Sequence, residues 1–538
     1  MTQPQAASPA PVSDPAPNSQ GLLPPIKNEL ICPSTQIFDA EKLRNQLSQA
    51  AKTMDATALR AEVVRLLREA NKDGRAAIAS AFALSPFSAR ALTQSYSHLT
   101  DGLVTTAFYA ATELLHPLSN PTRGERIAVM AVGGYGRAEM APFSDVDLLF
   151  LTPYKITAWA ESVIESMLYI LWDLRLKVGH SSRTIKDCIR LGAEDYTIRT
   201  AMLEHRFLSG DSDLAAELDD RLQSDLFSKD ARDFIEAKLE ERDQRHLKQG
   251  ERYMVEPNVK EGKGGLRDLQ SLFWIAKYLH RVDSVAELAD VGMFTADELE
   301  TFAKAENFLW AGRGHIHLIT RRPTDQLTFD LQVEVAERMG YCDTAGRRAV
   351  EVFMQDYFRH ATAVGDLTRI FLTKLEAAHV KSEPILQRLF RRKRKLKDGY
   401  EEVHGRLAIS DDAQFLSDPL NILRLFEEGL RTGLLIHPDA MRLVTANIHL
   451  IDEDMRNDPA AQKLFLDLLL KHGNPERALR RMNELDVLSA FIPEFEPIVA
   501  LMQFNMYHSY TVDEHTIQCI SNLAQIERGE LVEDLPLS

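Results

Sequence analysis

From about Asp39 to Leu115 apolar residues recur at three- and four-residue spacing, as in "LRAEVVRLLREANKDGRAAIASAFAL", and this spacing predicts helices. The pattern then changes. In "IAVMAVGGYGRAEMAPFSDVDLLFLTP", Ile127 to Pro153, two short apolar runs flank a glycine-rich turn, an order that reads strand, turn, short helix, strand. An amphipathic helix, "AWAESVIESMLYILWDLRL", follows Pro153, and "KVGHSSRTIKDC" supplies a third strand. The order β-turn-β-α-β implies a small mixed sheet with helices on one side. Beyond about Asp211 the pattern is helical, with two islands. In "YMVEPNVKEGKGGLRDLQSLFWIAKYL" (253–279) a Gly/Lys-rich loop opens an apolar helix, and "KLKDGYEEVHGRLAI" (395–409) alternates as a strand or hairpin does. Helices punctuated by Gly and Pro resume at Pro419, and no fixed-period repeat is found.

The length of 538 residues implies several domains rather than one, and a 45% hydrophobic share is enough for sizeable cores. The net charge of −16 argues against a nucleic-acid surface spread over the molecule, because phosphate binding needs clustered Lys and Arg. The dense basic run "RRKRKLKDGY" (391–400) is read as a solvated face or a charge-protected strand edge, and no nucleic-acid partner is expected. Four widely separated cysteines exclude a disulfide framework and a thiolate zinc site, and they fit a reducing cytoplasm. No apolar run approaches the roughly 20 residues that cross a bilayer, so no membrane is expected. The Pro/Ala/Ser-rich opening lacks the features of a signal peptide and reads as a disordered tail.

The chemistry concentrates in the second apolar run. Side chains alternate along a strand, so Asp145 and Asp147 share one face while Val146, Leu148 and Phe150 share the other. Two carboxylates so close repel unless a cation lies between them, and oxygen-only ligation suits Mg²⁺ with substrate phosphates. A strand end whose aspartates face water is the competing reading. The preceding "GGYGR" shifts the balance: Gly133 and Gly134 let backbone N–H groups approach phosphates, and Arg137 adds a fork-shaped cation. No GK[ST] follows, which excludes a Walker A loop, and Glu139 stands where a dinucleotide fingerprint has its last glycine. Glycine turn, Ser144 and the two aspartates together point to phosphoryl chemistry on a nucleotide.

"GGYGRAEMAPFSDVDLLFL" resembles the signature of the nucleotidyltransferase superfamily that includes DNA polymerase beta. More narrowly, it resembles the bacterial PII uridylyltransferase/uridylyl-removing enzymes. "WDLRLKVGHSSRT", "EPNVKEGKGGLRDLQSLFWIAKY", "DQLTFDLQ" and "MQFNMYHSYTVDEHT" resemble further blocks of that family in the same order, spanning roughly residue 100 to the end. The resemblance implies an α+β fold, with a small mixed-sheet nucleotidyltransferase domain, then mostly helical domains, then an incomplete HD-type domain. It implies transfer of UMP from UTP to a tyrosine of the PII signal protein, with Asp145 and Asp147 binding Mg²⁺ and Gly133 and Gly134 holding the triphosphate. His180, Ser181 and Arg183 would contact the nucleotide. Ser182 departs from the apolar residue expected in that block. The superfamily's third carboxylate is open among Asp173, Asp187 and Glu204. The divisions expected are a tail (1–38), a helical segment (39–105), the nucleotidyltransferase domain (106–225), a helical domain (226–378), a helical linker domain with a short β element (379–505) and the start of an HD domain (506–538).

Two other motifs admit functional readings. Lys260, Lys263 and Arg267 surround a Gly-Gly pair at a helix start, which serves either as a basic-flanked cap or as a seat for phosphate or an acidic partner. His315 and His317, two apart on a helix, face different directions and are not expected to share a metal. In the resembling family His515 would be the first metal ligand of the HD domain. No His-Asp dipeptide occurs, so uridylyl removal is expected to be lost, as are the glutamine-sensing repeats of that family.

Overall fold

The computed structural model describes residues 29–119, 122–228, 231–249, 252–282, 284–344, 346–379, 395–504 and 510–532; for 376–379 it fixes the backbone alone. Most of the expected tail, the start of the basic run and part of the "MQFNMYHSYTVDEHT" block lie outside these residues. The chain is mostly helical with two small mixed sheets.

The first sheet has the order β3-β2-β1-β4, with β1 Ala128–Ala131, β2 Val146–Thr152, β3 Val178–Thr184 and β4 Arg206–Gly210. β1 runs antiparallel to β2 and β4, and β2 and β3 are parallel, joined by the helix Ala158–Asp173. β2 is one of the two inner strands, and from Leu148 to Thr152 every residue is buried, which is why it reads as a continuous apolar run. β4 escaped the sequence reading because it is five residues long and opens on Arg206, whose guanidinium binds Asp101 at 2.8 and 2.9 Å and lies over Tyr135.

Helices cover both faces of this sheet, not one. Val129, Ala131, Leu148 and Phe150 join the core built with Ala56–Leu84, Ala89–Tyr109 and Ala158–Asp173. Ala128, Met130, Leu149 and Leu151 pack against Ile185, Cys188, Met202 and Leu214 from the helices that follow β3 and β4. The one-sided expectation failed because β1 is apolar on both faces and gives no alternation to read. The first core continues into the helices Leu266–His280, Ala296–Thr320 and Ala349–His379.

A separate core spans Leu407 to Ile517. There the expected hairpin forms from β5 Tyr400–Val403 and β6 Arg406–Ile409, and β7 Leu435–Ile436 adds parallel to β6. Lys397, from the described end of the basic run, pairs with Glu427 at 2.8 Å. His515 lies on the helix Val512–Glu527 with Cys519 one turn away, at 3.8 Å. Among the described residues no helix is long and apolar enough to cross a membrane.

Candidate functional site

The site lies where β1 ends and β2 begins. Val132 N–H donates to Asp147 O at 3.1 Å, which brings the chain after β1 alongside the start of β2. Gly133, at φ +61°, then turns the backbone into the short helical turn Gly133–Gly136. The first bond of that turn runs from Gly136 N–H to Val132 O at 3.1 Å, so the N–H groups of Gly133, Gly134 and Tyr135 precede it, as initial helix donors do. A Cβ on Gly133 would lie 3.7 Å from Asp147 Oδ2, so turn and carboxylate face one space. Gly136 packs against the backbone before β4; its added Cβ would stand 1.6 Å from Glu204 O.

Asp145 and Asp147 flank Val146, both partly exposed, with Val146 pointing into the core. Burial and the neighbouring Asp145 push the Asp147 carboxyl above its usual range, against the pull of Lys177 and Lys260. Lys177 Nζ sits 2.7 Å from Asp145 Oδ2 in an exposed pair of the kind that holds its partners weakly. The residue beside Asp147 on β3 is Gly179, and a Cβ there would lie 2.3 Å from Asp147 Oδ1. Glycine at 179 is what lets the carboxylate lean over the sheet edge.

The other expected residues divide. Ser144 closes the turn before β2: Ala141 N–H donates to its Oγ at 2.9 Å, and Ser144 N–H donates to Ala141 O at 3.0 Å. On β3, Ser181 and Arg183 alternate with Gly179 and so share the face of Asp147, whereas His180 is on the opposite face with its ring edge toward Trp172. Arg137 is turned into the protein instead of toward the cleft. It pairs with Glu139 at 2.8 Å and with Glu204, and it lies over Trp274. Of the carboxylates left open as a third ligand, Glu204 is buried against Arg137 and Asp173 pairs with Arg60 at 3.0 Å. Asp187 caps the helix Ile185–Glu194 through Thr184. None of the three joins Asp145 and Asp147, and no group of three His, Cys, Asp or Glu able to hold a metal occurs among the described residues. The pair nevertheless fits a hard cation whose other ligands are waters and substrate phosphates: all donors are carboxylate oxygens, and the flanking glycines leave room around them.

The Gly/Lys-rich loop forms before Leu266–His280 as the spacing predicts, and it brings Lys260 within electrostatic reach of Asp147. His315 stacks on Phe82, with ring centroids 4.4 Å apart, and His317 binds Asp325; the two serve different neighbours.

Comparison with known proteins adds to this geometry. The family model described as GlnD PII-uridylyltransferase matches residues 233–372, and that of the uridylyltransferase GlnD third domain matches residues 400–491. The model of glutamate-ammonia ligase adenylyltransferase matches residues 22–174, which include the glycine turn and both aspartates. The bifunctional uridylyltransferase/uridylyl-removing enzyme of Ruegeria pomeroyi is 71% identical over 503 residues, 93% of this chain and 55% of that protein. The enzyme of the same description from Cereibacter sphaeroides is 65% identical over 518 residues, 96% of this chain and 56% of that protein. The chain spans about half the length of the curated relatives it matches.

Proposed function

We propose that this chain, which matches the N-terminal half of the bifunctional uridylyltransferase/uridylyl-removing enzyme family, transfers UMP from UTP to a tyrosine hydroxyl of the PII signal protein. The observation that carries the reading is the shared space of the Gly133 turn and the Asp145–Asp147 pair. The N–H groups of Gly133 and Gly134 would receive phosphate oxygens, and Asp145 and Asp147 would hold Mg²⁺. When bound, that ion neutralises charge on the phosphates. In the transfer the tyrosine oxygen bonds to the α-phosphorus and the bond from that phosphorus to the bridging oxygen breaks. Its electron pair departs with pyrophosphate, and the hydroxyl proton is lost to solvent. Ser181 and Arg183, on the face of Asp147, flank the nucleotide, while Arg137 is turned inward onto Glu204, away from the phosphates. Uridylyl removal is assigned to no residue of this stretch.

Purified chain with Mg²⁺, UTP and PII should label PII with UMP. Asp145→Asn combined with Asp147→Asn should abolish labelling while leaving the melting temperature unchanged. Labelling of PII by the double variant at the wild-type rate would remove the site assignment. A second reading, adenylylation of another protein such as glutamine synthetase, has the match over residues 22–174 in its favour. Presenting all four nucleoside triphosphates with each acceptor separates the two, with UTP and PII the pair expected to react.

A further inference from the structure

Resting on the proposed nucleotidyl transfer, we propose that Lys260 is the cation that receives the β- and γ-phosphates of the nucleotide and the departing pyrophosphate, held across the cleft from Asp145 and Asp147 by the His317–Asp325 pair. Its backbone is fixed at both polar groups: Lys260 N–H donates to Asn258 Oδ1 at 3.1 Å, and Lys260 O accepts from Arg267 N–H at 2.9 Å. The neighbouring Val259 N–H donates to Asp325 O at 2.9 Å.

Asp325 is also the link to the acidic pair. Its Oδ1 accepts from Arg313 Nε at 2.7 Å and from His317 Nε2 at 3.1 Å, while His317 Nδ1 accepts from Phe143 N–H at 3.3 Å. Nδ1 is thus an acceptor and Nε2 a donor, the neutral tautomer, consistent with a pKa that burial holds below the usual range. Phe143 lies two residues before Asp145, so a continuous chain of hydrogen bonds runs from the entry to β2 to the loop that carries Lys260.

The charge around Lys260 points to an anion that is not part of the protein. The side chain is 27% exposed, and its carboxylate neighbour Glu261 stands off at 3.4 Å, bound more closely by Arg267 at 3.1 Å. Arg267 and Arg313 act on the Lys260 ammonium as like charges, and more strongly than Glu261 and Asp325 act as opposite ones. With a cation on Asp145 and Asp147, the positive groups on the two sides of the cleft would repel. A polyanion between them removes that repulsion, and the phosphates beyond the α-phosphate are the part of a nucleoside triphosphate that would lie there. The competing reading, in which Lys260 serves only as a counterion within its own loop, makes a different prediction.

The test is equilibrium binding to the full chain in Mg²⁺, with UTP, pyrophosphate and UMP as separate probes. Lys260→Met should weaken UTP and pyrophosphate by roughly 10- to 100-fold, the loss of one charge-assisted contact, and leave UMP within about threefold. Lys260→Arg should recover part of the loss, and the melting temperature should not move. Should Lys260→Met prove insoluble, Lys260→Gln carries the same measurement. Wild-type affinity for pyrophosphate in these variants, or an equal loss for UMP and pyrophosphate, would overturn the role of Lys260 alone. A wild-type chain that binds neither UTP nor pyrophosphate would overturn the nucleotidyl-transfer reading as well.

Discussion

A methyl group placed on Gly179 tests the site without touching either aspartate. Within 4 Å the added Cβ would meet only Asp147, at 2.3 Å from Oδ1 and 3.5 Å from Cγ. Contacts of real Cβ atoms do not fall under 3.0 Å, so Oδ1 must retreat by at least the difference, 0.7 Å. A displacement approaching 1 Å at a reacting centre costs on the order of 100-fold in rate. The fold has no reason to suffer. Gly179 is exposed on the edge strand β3, and alanine replaces glycine in a strand with a gain of about 0.5–1 kcal/mol. Gly179→Ala should therefore slow UMP transfer to PII on the order of 100-fold, with a melting temperature equal to wild type or higher. In an Asp147→Ala background the same methyl has no carboxylate to displace and should change Mg²⁺-dependent UTP affinity no further. Retention of the transfer rate to within about threefold in Gly179→Ala would refute the argument that this glycine sets the position of the Asp147 carboxylate.

Two further substitutions probe the scaffold. Arg137→Met should leave Glu204, whose side chain is 1% exposed, without its cation and cost about 3–5 kcal/mol of stability by chemical denaturation, while UTP affinity in the folded protein stays nearly unchanged. A large loss of UTP affinity at unchanged stability would instead put Arg137 on the phosphates. His315, buried on Phe82 with Nε2 3.1 Å from Pro86 O, has its pKa pulled by burial from 6.5 to about 4. The unfolded chain takes up this proton below about pH 6.5 and the folded chain only near pH 4, so stability should fall across that window by up to about 3 kcal/mol. His315→Gln should lose about one proton's worth of that slope, and identical slopes in the two proteins would contradict the shift.

The parts of the fold that the sequence made legible are those with a strong local signal. β2 announces itself because it is an inner strand, buried on both faces after Asp147, and the loop before Leu266 because its Gly-Gly pair and lysines open an apolar helix. The hairpin at Tyr400–Ile409 is legible from alternation. β4 and the second helical layer are not, since a five-residue strand and a β1 that is apolar on both faces carry no period to distinguish one side from two. At the site, the order of residues placed Gly133, Gly134, Asp145 and Asp147 together because they are neighbours along one turn and one strand. Arg137 has the same local credentials, a guanidinium three residues past a glycine turn. Its actual direction is set by Glu204, 67 residues away and just before the strand that was missed.

Gly179 and Lys260 show the same limit from the other side. The glycine, in an edge strand, reads only as a weak strand residue; the lysine before a helix reads equally as part of a cap or as a seat for phosphate or an acidic partner, with nothing to say what it faces. Gly179 matters because parallel pairing of β2 with β3 puts it directly beside Asp147, where any side chain would collide with the carboxylate. Lys260 matters because Asp325 and His317 tie its loop to the residue two before Asp145. Both relations are set by register and long-range hydrogen bonds, which periodicity and motif spacing do not encode. In the proposed chemistry, the lysine of the phosphate site takes its place only once the helical region has docked on the sheet.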